Sequence, residues 1–174
     1  LRLDPGNAAA HQRLGELLLE TGETEAAREH RRLGFGAAPV QNFPHLGSQA
    51  PIDLLVLTST PGGDITWRKL VDEAVFRITT LSAAHWDAEA ALPPHAMILN
   101  AIGDADLSGD DLEAAEAICA RSPAPVINRP DRCRRTGREA NAAHLGRLPG
   151  VIAPATVSLP RAALEGPSAA EALA

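Results

Sequence analysis

Residues 125–139, PVINRPDRCRRTGRE, place five arginines behind a short apolar run. A guanidinium fork matches the two oxygens of a carboxylate or phosphate. Arg129 and Arg132, with Asn128 at the exit of the apolar run, are therefore read as contacts to a small anion. Thr136 and Glu139 have the T-x-x-E spacing of a capping box, which assigns TGRE to a helix start. Arg134 and Arg135 are read as solvated or paired with acidic side chains.

Two other polar loops could face this one. Thr60-Pro61-Gly62-Gly63-Asp64 offers backbone N–H groups that glycine leaves uncovered, so an anion could approach closely. It is neither G-x-G-x-x-G nor a Walker loop, because no Lys-Ser/Thr pair follows. The second loop leaves Asn100 and runs through Asp104-Ala-Asp106-Leu-Ser108-Gly109-Asp110, which imitates the first half of a calcium loop. Its twelfth position is Ala115 rather than a bidentate glutamate, so calcium is not expected. Ser108 and Asp111 have S-x-x-D spacing and are read as a second capping box. The candidate ligand set is Thr60, Gly62, Gly63, Asp64, Asn100, Asn128, Arg129 and Arg132, with no catalytic residue assigned.

Strands must deliver these loops to one place. Ile52 to Leu57 is a nearly continuous apolar run, as in a strand buried on both faces. The pattern predicts further strands over 76–82, 96–100, 126–127 and near Val157, with helices over 66–74, 109–121 and 137–147. Alternating strands and helices imply parallel pairing, hence a three-layer αβα, Rossmann-like sheet over 52–160. In such sheets ligands sit beyond the carboxyl ends of the strands, where all three loops emerge. Residues 36–51 hold three prolines without periodicity and are read as a linker, and 161–174 as an alanine-rich tail.

Composition narrows the function. A formal charge of −6 argues against a nucleic-acid binder. Between Asn128 and Arg147, six arginines face two acids, a local +4 without the aromatic partners that single strands require. Cys119 and Cys133 have no metal-ligand spacing, so no metal is expected and both are read as reduced thiols of a cytoplasmic protein. Cys133 among arginines is a candidate for a depressed pKa. No apolar run reaches the roughly 20 residues of a membrane span. The six histidines are scattered without ligand spacing, and no serine sits in a G-x-S-x-G elbow.

Residues 1–35 read as two helices joined by Thr21-Gly22-Glu23, with Leu14, Leu17 and Leu18 forming an apolar stripe and Asn7 or Pro5 marking the start. Leu14-Gly15, Leu18 and Ala27 fit the packing positions of a tetratricopeptide repeat, which this unit resembles. Pro5 to Pro39 is one 34-residue period. His11 and Arg31 stand where that repeat has large aromatics, and Gly34 replaces an alanine, as suits a degenerate terminal repeat. The resemblance implies a protein or peptide partner. A lone repeat must also pack on further repeats, on the next domain or on another chain, which leaves oligomerisation open.

Pro125-Val-Ile-Asn-Arg-Pro130, followed by a helix and by Leu148-Pro-Gly-Val-Ile-Ala-Pro-Ala-Thr156, resembles the N-terminal domain of ATP-grasp carboxylate–amine ligases. Gly137-Arg138-Glu139 stands in place of the Asp-Lys pair that commonly opens the family's helix. The resemblance implies a substrate-side domain that is not catalytic alone. ATP and Mg would belong to lobes beginning near Pro160, so the chain is expected to be a fragment without a cofactor of its own. The alternatives are a non-catalytic interaction module built on the repeat and, last, a stand-alone nucleotide-binding domain.

Overall fold

The structure, a computed structural model, describes residues 3–164. Residues up to Arg134 form one compact unit, and a second begins at Arg135.

The first unit opens with α1 (Ala8–Glu20) and α2 (Thr24–Ala37). Asn7 starts α1, its Oδ1 accepting the Ala10 N–H at 2.9 Å. The seam between the helices departs from the expected leucine stripe. Its buried residues are His11, Gln12 and Gly15 on α1 and Ala27, Arg31 and Gly34 on α2, while Leu17 is 58% exposed. Glycine explains the close approach: a Cβ on Gly34 would lie 2.7 Å from the Gln12 nitrogen. The buried polar groups find partners inside the unit. Gln12 Nε2 donates to Gly34 O at 3.1 Å and Ala38 O at 3.0 Å, and the His11 and His30 Nδ1 atoms are 2.8 Å apart.

Five strands follow: β1 (Val40–Phe43), β2 (Ile52–Thr58), β3 (Phe76–Ser82), β4 (Met97–Asn100) and β5 (Val126–Ile127). Their order is β1-β3-β2-β4-β5, parallel except that β1 runs antiparallel to β3. The fold is thus mixed α/β with a mostly parallel sheet. The fifth strand lies in 36–51, the segment read as a linker, and the structure has no strand near Val157. Val40 and Phe43 place side chains against apolar clusters, whereas residues 151–160, with Pro154 and Pro160, have no regular structure.

The sheet is buried on both faces, as the run in β2 demands. Leu55 and Leu57 pack with Leu81, Ile98, Leu112 and Ile118, while Leu54 and Val56 pack with Ile78, Leu99 and Trp67. The helix α3 (Gly109–Ala120) contributes Leu112, Ala115 and Ile118 to the first cluster. The helix expected over 66–74 is only a 3-10 turn, Trp67–Lys69. Asp72 ends it, because its carboxylate accepts the Ala74 N–H at 2.8 Å and its carbonyl accepts the Val75 and Phe76 N–H groups at 3.0 Å. A second 3-10 turn, Ala83–His85, follows β3. After β5 come the short α4 (Pro130–Cys133), then α5 (Arg138–Leu145) and α6 (Arg161–Leu164) in the second unit. The rest of the tail, 165–174, lies outside the described residues. No helix among the described residues is long and apolar enough to cross a membrane.

Candidate functional site

The chain turns from one side of the sheet to the other at β2, which pairs with both β3 and β4. The three loops do meet at this edge, and they bind one another. Asn100 Nδ2 donates to Asn128 O at 3.0 Å, and Asn128 Nδ2 returns the contact to Asn100 O at 2.9 Å. Asn128 sits at φ 57°, a left-handed conformation that asparagine tolerates. Ser108 Oγ donates to Gly62 O at 2.7 Å, and the Gly103 N–H donates to Gly63 O at 3.1 Å. A Cβ on Gly63 would lie 2.6 Å from the Asp104 Cβ, so only glycine lets the first loop close on the second. The Thr60 N–H donates to Asp111 Oδ1 at 2.9 Å, and Thr60 Oγ1 lies 3.0 Å from Ser82 Oγ.

The capping box expected from Ser108 and Asp111 does not form. Ser108 turns its hydroxyl to the Gly62 carbonyl and Asp111 turns its carboxylate to the Thr60 N–H, so the Ser108 side chain does not cap the start of α3. At α5 the capping position is Gly137, one residue past Thr136, and no side chain caps it. Arg129 and Arg132 are exposed, at 64% and 75% of their side chains, and both face Asp131, at 2.9 Å and 3.6 Å. Arg134 pairs with Glu116 at 3.0 Å and lies 3.9 Å from Glu113. Among the eight predicted ligand residues, Asp64 is the one that lines the cavity formed at this edge.

That cavity, of about 150 Å³, is walled by the hairpin, β1, the ends of β2 and β3, and the 67–69 turn. Arg31 enters it from α2. Its Nε donates to Thr60 O and its Nη2 to Ser59 O at 3.3 Å, leaving Nη1 without a partner among the described residues. Asp64 faces it from the first loop, anchored by the Ser59 N–H at 3.0 Å. Arg68 lies over the Phe43 ring, its Cζ 4.3 Å from the centroid, and 4.9 Å from that of Trp67. Arg31 Cζ is 5.2 Å from the Phe35 centroid. Three of the chain's five aromatic residues thus wall one small cavity, each against an arginine.

Electrostatics set the Arg31–Asp64 pair apart. Burial pushes the Asp64 carboxyl above its ordinary range, opposed by the Ser59 N–H and by the charge of Arg31. Burial likewise pulls the Arg31 guanidinium below its ordinary value, opposed by Asp64. For both groups loss of water outweighs their mutual attraction. Stacking on an aromatic ring leaves the edge of a guanidinium available to an oxyanion.

Arg31 is a cavity residue that the sequence pattern did not single out as a ligand contact. Its signal was its register: Ala27, Arg31 and Gly34 share the buried side of α2, so an arginine there had to find carbonyls or a carboxylate. Arg68 and the aromatics carried no local signal, because they converge only across the sheet edge.

The thiols correct a further expectation. Cys133 is buried with Sγ 3.2 Å from Asn128 Oδ1, and burial pushes its pKa up rather than down, because the neighbouring arginines turn outward. No group of three or more His, Cys, Asp or Glu among the described residues could hold a metal ion. Comparisons with family models, curated proteins and solved structures yield no match. The functional reading therefore stands on this geometry.

Proposed function

We propose that the unit ending at Arg134 recognises a small carboxylate- or phosphate-bearing molecule, which it holds in the cavity between the hairpin and the sheet edge. The observation that carries it is the pair of arginines, one buried and one on the rim, each laid on an aromatic face beside the half-buried Asp64. A cavity of about 150 Å³ is smaller than the roughly 300–1,000 Å³ of pockets that enclose a whole small molecule, which suits a ligand end-group rather than a nucleotide. This role agrees with the resemblance to the Rossmann-like substrate-side domain of an ATP-grasp carboxylate–amine ligase. On that reading ATP and Mg belong to residues outside this chain. The hairpin, through Arg31, is part of the site rather than a separate module.

Trp67 supplies the readout, since it lines the cavity. Titration with succinate or inorganic phosphate should change its fluorescence saturably. Arg68→Ala should weaken binding at least tenfold, while Arg129→Ala and Arg132→Ala leave it unchanged. Loss of binding in the Arg129 and Arg132 variants alone would return the site to the third loop, and no saturable response to either anion would refute the proposal.

A second reading is favoured by the exposed leucines of the hairpin, Leu17 of α1 at 58% and Leu33 of α2 at 38%. There a tetratricopeptide-like unit would take a peptide or protein partner, and Leu17→Ser would abolish that contact without touching anion binding.

A further inference from the structure

A different cavity, of about 550 Å³, opens at the amino-terminal edge of the sheet, between the segments leading into β4 and β5. Both segments contribute chemistry to it. His95 Nδ1 lies 2.6 Å from the Pro93 carbonyl oxygen, and its Nε2 lies 2.7 Å from Ser122 Oγ. A carbonyl oxygen can only accept, so in the neutral ring Nδ1 carries the hydrogen and Nε2 presents its lone pair to the serine. Ser122 Oγ in turn accepts the Ala124 N–H at 3.1 Å, which fixes the oxygen and leaves its one proton for Nε2. The hydrogen bonds therefore all run one way, from the imidazole N–H to a carbonyl and from the hydroxyl to the bare imidazole nitrogen.

This is the order of contacts that activates a serine: a nucleophile on a base, and the base oriented by a third group. The two side chains are 27 residues apart in sequence, and the sheet brings them together by pairing β4 with β5. Arg121 also lines this cavity, its Nη2 donating to the Ala90 carbonyl at 2.7 Å, and gives it a positive charge.

We propose that Ser122 and His95 form a nucleophile–base pair for acyl transfer from a small ester, with the Pro93 carbonyl as the orienting group. Ser122 Oγ attacks the acyl carbon while His95 Nε2 takes the hydroxyl proton. The bond from the acyl carbon to the alcohol oxygen then breaks, and the alcohol leaves with that proton. A water that gives its proton to Nε2 attacks the acyl-serine, releasing the carboxylic acid and restoring the hydroxyl. The site is independent of the anion cavity, which lies at the opposite edge of the sheet.

A fluorophosphonate probe tests this on the full chain, because a serine activated in this way displaces fluoride from phosphorus and retains the adduct. Peptide mapping should find the adduct on Ser122, p-nitrophenyl acetate should be hydrolysed, and Ser122→Ala should abolish both. His95→Gln, checked for folding by circular dichroism, should label at least tenfold more slowly. Absence of an adduct on wild-type Ser122, a result that requires no variant to fold, would overturn the proposal. So would labelling of a folded His95→Gln protein at less than a tenfold deficit, which would make the pair a surface latch.

Discussion

Asn100→Ala distinguishes a ligand contact from a structural tie, the two roles open to this residue. Asn100 is fully buried. Its side chain makes three hydrogen bonds to backbone: Nδ2 to Ile102 O at 3.2 Å and Asn128 O at 3.0 Å, and Oδ1 from the Ile102 N–H at 3.2 Å. Nδ2 also lies 3.6 Å from Cys133 Sγ. At a net contribution of about 1 kcal/mol per hydrogen bond, truncation costs about 3 kcal/mol. The Ile102 carbonyl and N–H left behind are buried and the Asn128 carbonyl is partly so, which places the effect at the upper end of single substitutions. With a urea slope of about 2 kcal/mol per molar, the midpoint should fall by about 1.5 M. Urea unfolding followed by tryptophan fluorescence reads this directly, because Trp67 and Trp86 both lie in the first unit. A loss below about 1 kcal/mol would refute the structural assignment and restore Asn100 to the ligand set.

Two further outcomes follow from two half-buried titratable groups. The folded-state pKa of Asp64 is raised, so the folded chain holds its proton more tightly than the unfolded one, and stability from this group is present at low pH and lost as pH rises through the folded value. Asp64→Asn, which keeps an acceptor for Ser59, should therefore be more stable than wild type at pH 7 in urea unfolding, with the difference shrinking towards pH 4; a difference that widens on acidification would contradict the sign. Burial pushes the Cys119 thiol up to about 11, so at pH 8 only about one thiol in 1000 is thiolate. Iodoacetamide should modify it slowly at pH 8 and much faster near pH 11, and modification at the rate of a free cysteine at pH 8 would show the thiol to be unburied.

Local patterns carried the elements that are self-sufficient along the chain. The apolar run at 52–57 reads as a strand without help, since six consecutive residues with a single charge have no other way to be buried on both faces. The helix over 109–120 and the start of the hairpin at Asn7 were equally legible. Segments with competing local preferences were not. Leu70 and Val71 suggested a helix that Asp72 ends, and Val40 to Phe43 has no strand signal until β3 supplies its hydrogen bonds.

The sequence by itself determined the parallel strands, the convergence of three polar loops at their carboxyl ends and the absence of any recognised phosphate motif. These depend on periodicity and on glycine, which act over a few residues. Only the tertiary structure decided how those loops use their polar groups. Their donors and acceptors pair across the loops once the strands bring them together, and the cavity lies instead where the hairpin meets the sheet. Arg31 and Asp64, and on the other edge His95 and Ser122, become neighbours through strand pairing and helix docking, which no local spacing encodes.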